Sequence, residues 1–178
     1  MAAKKRKPAK RAAANIQQIS PCLWFDGQAE EAAKFYVSVF RKGKIKGITR
    51  YPNAGKEVHG RPVGSVMTVD FVLNGLPFTG LNGGSNFKFN EAVSLMILCD
   101  TQAEVDYYWE KLNEGGDPKS QACGWLKDKY GLSWQVTPKA LMKIWKGPKS
   151  AGKERAFAAM MDMKKLDIAA IKAAFKGK

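Results

Sequence analysis

Leu23-Trp24-Phe25-Asp26-Gly27-Gln28-Ala29-Glu30-Glu31-Ala32-Ala33-Lys34-Phe35-Tyr36-Val37-Ser38-Val39 reads as an apolar strand, a short polar turn and a helix. Ala32, Phe35, Tyr36 and Val39 recur at i, i+3, i+4 and i+7, the period of a half-buried helix. A second copy follows: Leu95-Met96-Ile97-Leu98 runs into Asp100, and Val105, Tyr108, Trp109 and Leu112 repeat the helical set at one constant numbering offset. Equal units with equal apolar faces pack as a pseudo-symmetric pair, which places a site in the concavity between them.

Around these units the chain punctuates itself. A strand over about 19–25 turns at Asp26-Gly27 into a helix over about 28–40, with Glu30 and Glu31 in its first turn, where they favour the helix dipole. Gly43 closes that helix. Residues 44–51 read as a strand, and a polar loop with the single histidine, His59, runs to Arg61-Pro62. Met67, Val69, Phe71 and Leu73 alternate with Val66, Thr68, Asp70 and Val72, and Asn74-Gly75 joins this strand to 76–81 as a hairpin. After the Gly- and Asn-rich loop 82–90, a strand over 92–99, a helix over 101–113 and short strands near 123–126 and 132–137 form the second unit. Beyond Pro138 three short helices are predicted, over 140–145, 154–163 and 167–175, with Asp167 as an N-cap. Their apolar residues, Phe157, Met160, Met161, Leu166, Ile168, Ile171 and Phe175, are suited to covering the sheet or gripping a second subunit.

The 178 residues suffice for one compact domain or two fused modules. No apolar run approaches the roughly 18 residues that cross a bilayer, and the basic start lacks the apolar region and cleavage site of a secretory signal, so a cytoplasmic protein is expected. Three cysteines, Cys22, Cys99 and Cys123, argue against a disulfide framework and for a reducing compartment. Of the formal charge of +14, six units lie in Lys4, Lys5, Arg6, Lys7, Lys10 and Arg11, in an arm over 1–15 whose composition is that of a disordered segment.

Leu23-Trp24-Phe25-Asp26-Gly27 with Ala29-Glu30-Glu31-Ala32 and Phe35-Tyr36 resembles the PhnB-like group of the vicinal oxygen chelate (glyoxalase/bleomycin resistance/dioxygenase) superfamily. Leu81-Asn82-Gly83-Gly84, Phe87-Lys88-Phe89-Asn90-Glu91-Ala92, Cys123-Gly124-Trp125-Leu126-Lys127-Asp128 and Gly131-Leu132-Ser133-Trp134-Gln135 are similar to the same group. The resemblance implies an α+β fold of paired βαβββ modules forming a cupped mixed sheet, over residues 16–138 (modules 16–84 and 91–138), with a helical extension over 139–178. It also implies a homodimer or a tandem pair. Members often carry the label 3-demethylubiquinone 3-methyltransferase, yet no Gly-rich strand-to-helix turn in a βαβ context offers a nucleotide-bearing methyl donor a site.

Catalytic members of the superfamily hold a divalent metal on four strands. The resemblance puts those positions at Pro21, about Gly80, Ser94 and Gln135, and only Gln135 is an ordinary ligand, so no tightly bound metal and no cofactor are expected. Strand alternation from Pro21 and Ser94 then turns Leu23, Phe25, Met96 and Leu98 into the cup, where Phe78, Asn82 and Gln135 join them. The predicted ligand-binding set is Leu23, Phe25, Phe78, Asn82, Ser94, Met96 and Gln135. His59 reads as a solvated loop residue and Cys123 as packing; Asp70 shares a strand face with Thr68, solvent or cup being open.

Three functions compete. The first is binding of a small, partly apolar organic molecule in the cup. The second is a lyase, isomerase or dioxygenase of the same fold, or the methyltransferase of the family label. The third is nonspecific polyanion or nucleic-acid binding through the N-terminal arm. No membrane partner is expected.

Overall fold

A computed structural model describes residues 19–178, so the arm expected over 1–15 lies outside the described residues. Strand β1 (Cys22–Phe25) leads into helix α1 (Ala29–Val39), whose N-terminus has no side-chain cap of its own. The cap comes from across the sheet: Asn82, at the end of β4 (Leu76–Asn82), accepts the Ala29 N–H at 2.8 Å. Strand β2 (Lys44–Arg50), a one-turn helix α2 (Lys56–His59) in the polar loop, and β3 (Val66–Leu73) complete the unit. Its sheet order is β1-β4-β3-β2, with β1 parallel to β4 and the other pairs antiparallel. Asn74 and Gly75 both take positive φ (49° and 91°) in the β3–β4 hairpin, the backbone that the Asn-Gly pair predicts.

The second unit runs β5 (Ser94–Cys99), α3 (Gln102–Asn113), β6 (Trp125–Lys127), β7 (Ser133–Pro138), in sheet order β5-β7-β6. Thr101 and Glu104 start α3 with a reciprocal capping box. This unit is βαββ, not the expected βαβββ. Where the first unit has β2, the chain turns at Gly115 (φ +73°), packs Gly116 against the Lys127 backbone, and makes a 3₁₀ turn over Pro118–Ser120. Pro118 has no N–H to give a ladder, and the Asp117 carboxylate takes the Lys119 N–H, which closes this stretch on itself.

Both helices bury the repeated face: Ala32, Tyr36 and Val39 on α1, and Val105, Trp109 and Leu112 on α3. These belong to one core that the helix-covered sides of both sheets share. At its centre the Tyr36 ring lies 5.5 Å from that of Trp134, on β7, and 6.1 Å from that of Phe71, on β3. Burying each such side chain is worth about 1.5–3 kcal/mol.

Helices α4 (Lys139–Lys146), α5 (Ala151–Met161) and α6 (Ile168–Lys176) form a small second core of Leu141, Ala156, Leu166 and Ile171. Asp167 caps α6 through the Ala170 N–H. The link before α6 is pinned to the second unit: Cys123 and Gly124 donate to the Met163 and Lys164 carbonyls, and Gln102 holds both Leu166 O and Ile168 N.

Candidate functional site

Each sheet has one face under its helix and one face open. Strand register shows which side chains share which face. In the first unit Leu23 is level with Gly80 and Phe25 with Asn82, and a side chain at Gly80 would meet Ala29 and Phe25. Leu23, Phe25, Phe78 and Asn82 therefore lie on the helix side, all less than 10% exposed. This corrects the expectation that turned Leu23 and Phe25 into the cup and had Phe78 and Asn82 join them there. Both polar atoms of Asn82 are engaged, its amide donating to Val66 O at 3.0 Å while its oxygen caps α1.

The open face of the first unit carries the neighbouring residues. Cys22 is level with Thr79, and Thr79 with Asp70. The Thr79 hydroxyl donates to Asp70 Oδ1 at 2.6 Å, Thr68 and Thr49 share a 2.6 Å hydrogen bond, and Trp24 donates from its indole to Gly84 O. Partial burial, and secondarily the Asp70 carboxylate, push the Cys22 thiol up. Phe87, in the loop after β4, stands edge-on to Trp24 at 4.9 Å.

In the second unit alternation places side chains as the sequence predicts. Met96 is level with Gln135, and the Gln135 amide donates to Ser94 Oγ at 2.8 Å. Met96 and Leu98 are 48% and 49% exposed on this face, while Ile97 and Cys99 point into the core, where burial pushes the Cys99 thiol up to about 12. A cavity of about 370 Å³ reaches Met96 and Leu98 from β5 and Leu73, Asn74, Leu76 and Phe78 from the hairpin. It joins Phe78 and Met96; Ser94 and Gln135 pair with each other, Asn82 lines a separate cleft with Tyr51 and Arg61, and Phe25 a third near Tyr130.

The two units disagree because their turns differ by one residue. Asp26-Gly27 precede the N-cap Gln28, whereas Asp100 alone precedes the N-cap Thr101. Gly27, at φ +95°, absorbs the extra residue. One added residue reverses strand parity, so an offset taken from the helices carries the wrong face of β1. Cys22, Thr79 and Asp70 are thus the first-unit counterparts of the Met96–Gln135 face, and the single glycine after Asp26 was the signal for them.

A family model described as 3-demethylubiquinone-9 3-methyltransferase matches residues 17–137. The PhnB protein of Bacillus cereus, named after the same methyltransferase, is 39% identical over 68% of this chain and 99% of its own, with a TM-score of 0.58. The chain belongs to this PhnB-like family. Protein PA1353 from Pseudomonas aeruginosa, 20% identical over 69% of this chain and 98% of its own, has the same fold at a TM-score of 0.54. Among curated proteins none matches the chain.

The four positions at which the sequence resemblance implies a metal offer few free donors. Pro21 offers a carbonyl already bonded to Thr79 N, Gly80 faces α1, and Ser94 and Gln135 bond each other. No group of three or more His, Cys, Asp or Glu able to hold an ion occurs among the described residues. His59 ends α2, its ring tilted against that of Tyr51 at 4.7 Å, and Cys123 holds a left-handed turn (φ 51°) beneath Met161.

Between the units sits a residue the sequence reading did not single out. Asp128, 3% exposed, accepts from Tyr36 Oη and Trp134 Nε1 on one oxygen, both at 2.8 Å, and from the Tyr130 and Leu132 N–H groups on the other. Burial pushes its carboxyl above the usual range against the pull of those four donors, and pushes the Tyr36 phenol well up. It joins α1 of the first unit to β7 of the second.

Proposed function

We propose that this PhnB-like chain binds a small, partly apolar organic molecule on its open sheet faces, in a cup completed by a second copy of the chain and without a tightly bound metal. One observation carries the reading: Met96 and Leu98, each half exposed, flank the hydrogen-bonded Ser94–Gln135 pair on an uncovered face. Apolar side chains around a few convergent polar groups are the usual make-up of a small-molecule site. Ser94 and Gln135 supply a hydroxyl and an amide that can exchange their mutual bond for the ligand. Across the cup, Asp70 with Thr79 offers a carboxylate to an amine or hydroxyl of the same molecule. Methyl transfer has less support, because the first N–H of α1, at the Gly-bearing turn from β1, is taken by Asn82. No helix among the described residues is long and apolar enough to cross a membrane, and the cytoplasm is the proposed compartment.

Native mass spectrometry of the chain purified from cells tests this. The expected result is a stoichiometric organic adduct that disappears in S94A/Q135A and weakens in D70N. An adduct indifferent to all three substitutions, no adduct at all, or a metal retained stoichiometrically after desalting overturns the proposal.

A further inference from the structure

The charge of the chain is partitioned, not spread. Residues 19–138, which hold the family domain, carry thirteen Lys and Arg and thirteen Asp and Glu, and so are neutral. Residues 1–18 contribute +6, and residues 139–178 carry eleven basic residues against three acidic ones. The whole excess therefore lies in segments flanking the domain. Charge placed this way is available to a polyanionic partner.

The helices show which of these cations are free to act. Lys139 pairs with Asp100 at 2.7 Å and Lys165 with Asp106 at 2.7 Å. Lys153 donates to the Trp145 and Gly147 carbonyls, and Arg155 to those of Ala174 and Phe175, so both serve helix C-termini. Lys143, Lys146, Lys149, Lys164, Lys172, Lys176 and Lys178 are exposed and without an ion pair among the described residues, and the first three follow one another along α4 and the loop after it. Beside them Trp145 and Phe157 meet at 5.6 Å and line, with Lys153 and Glu154, a cavity of about 380 Å³. Phe157 is 49% exposed although neighbouring Ala156 is fully buried.

We infer that the C-terminal helical unit is a docking surface for single-stranded nucleic acid, with Lys143, Lys146 and Lys149 tracking the phosphates and the Trp145–Phe157 pair stacking a base. Lysines bordering an exposed aromatic match how sequence-tolerant single-strand binders work: charge holds the backbone, and a ring takes an unstacked base. A duplex would hide its bases from Phe157. Leu141, Leu166 and Ile171 point inward, while Phe157, Met161 and Phe175 are the large apolar side chains this unit exposes, so anionic lipid is the competing occupant that the test must separate.

The test is fluorescence anisotropy of the full chain with a labelled oligothymidylate of 20 nucleotides, over a salt series. Replacing three phosphate-contacting lysines in K143Q/K146Q/K149Q is expected to lower the log–log salt slope by about 2 and the affinity about 10- to 100-fold at 0.1 M salt. F157A is expected to weaken binding about 5-fold or more with the slope unchanged. K143R/K146R/K149R, which keeps the charge, should bind like the parent and controls for folding. Unchanged affinity and slope in the lysine-to-glutamine variant overturn the inference. So does equal or tighter binding to duplex DNA or to vesicles of anionic phospholipid, or complete loss of binding when only the six basic residues of 1–15 are changed to Gln.

Discussion

Asp128 shows how one side chain can join two units that the sequence presents as separate. Its oxygens each take two donors, Tyr36 and Trp134 on one, two backbone N–H groups on the other, so the buried carboxylate is satisfied only as a carboxylate. An asparagine has a single acceptor oxygen and turns an N–H₂ toward one pair of donors. D128N is therefore expected to cost about 2–4 kcal/mol in urea unfolding, and Y36F, which removes one donor and leaves the rest, about 1 kcal/mol. Loss of less than 0.5 kcal/mol in D128N would show that the junction is held by packing alone. Asn82 plays the corresponding part within the first unit, where it substitutes for the cap that Gln28 does not provide.

At the scale of elements, turns decide more than strands do. Gly75 lies at φ +91° with nothing within 4 Å of where a Cβ would stand, and Gly47 has equally open space but an ordinary φ. G75A thus isolates the backbone cost and is expected to destabilise by about 1–2 kcal/mol, while G47A stays within about 0.5 kcal/mol of the parent. Equal effects in thermal unfolding would mean that the hairpin does not depend on its left-handed turn. The elements were legible for such local reasons: Asn-Gly marks the hairpin, and the i, i+3, i+4, i+7 spacing gives both helices. The α+β class was what the family resemblance implied. What escaped was phase. The faces of β5 and β7 read correctly, but those of β1 and β4 did not, because the extra Gly27 changes parity without changing composition. Asp128 escaped for a different reason: its donors come from residues up to 92 positions away, and no local pattern announces a contact of that separation.

For the whole molecule, the shared core dictates where a second copy can sit. Both helix-covered faces are used up within one chain, so the faces bearing Cys22 and Asp70 and those bearing Met96 and Leu98 look away from it. The sheet orders leave β1 and β5 at edges, and β5 has none of the usual protections: no lysine, no proline, and Val93, Met96 and Leu98 exposed along it. Such an edge is a template for another strand, and a second copy presenting β1 to β5 would extend the sheet and bring an Asp70–Thr79 face beside a Ser94–Gln135 face. A lysine at position 98 would remain solvated in a lone chain but be desolvated in that pairing. L98K is accordingly expected to keep the circular dichroism and unfolding midpoint of an isolated chain and to sediment at 19.6 kDa, where the parent is expected to sediment as a dimer, with loss of any adduct that needs both copies. An L98K protein that remains dimeric would place the interface elsewhere, and an L98K monomer that still retains the ligand would confine the site to one chain.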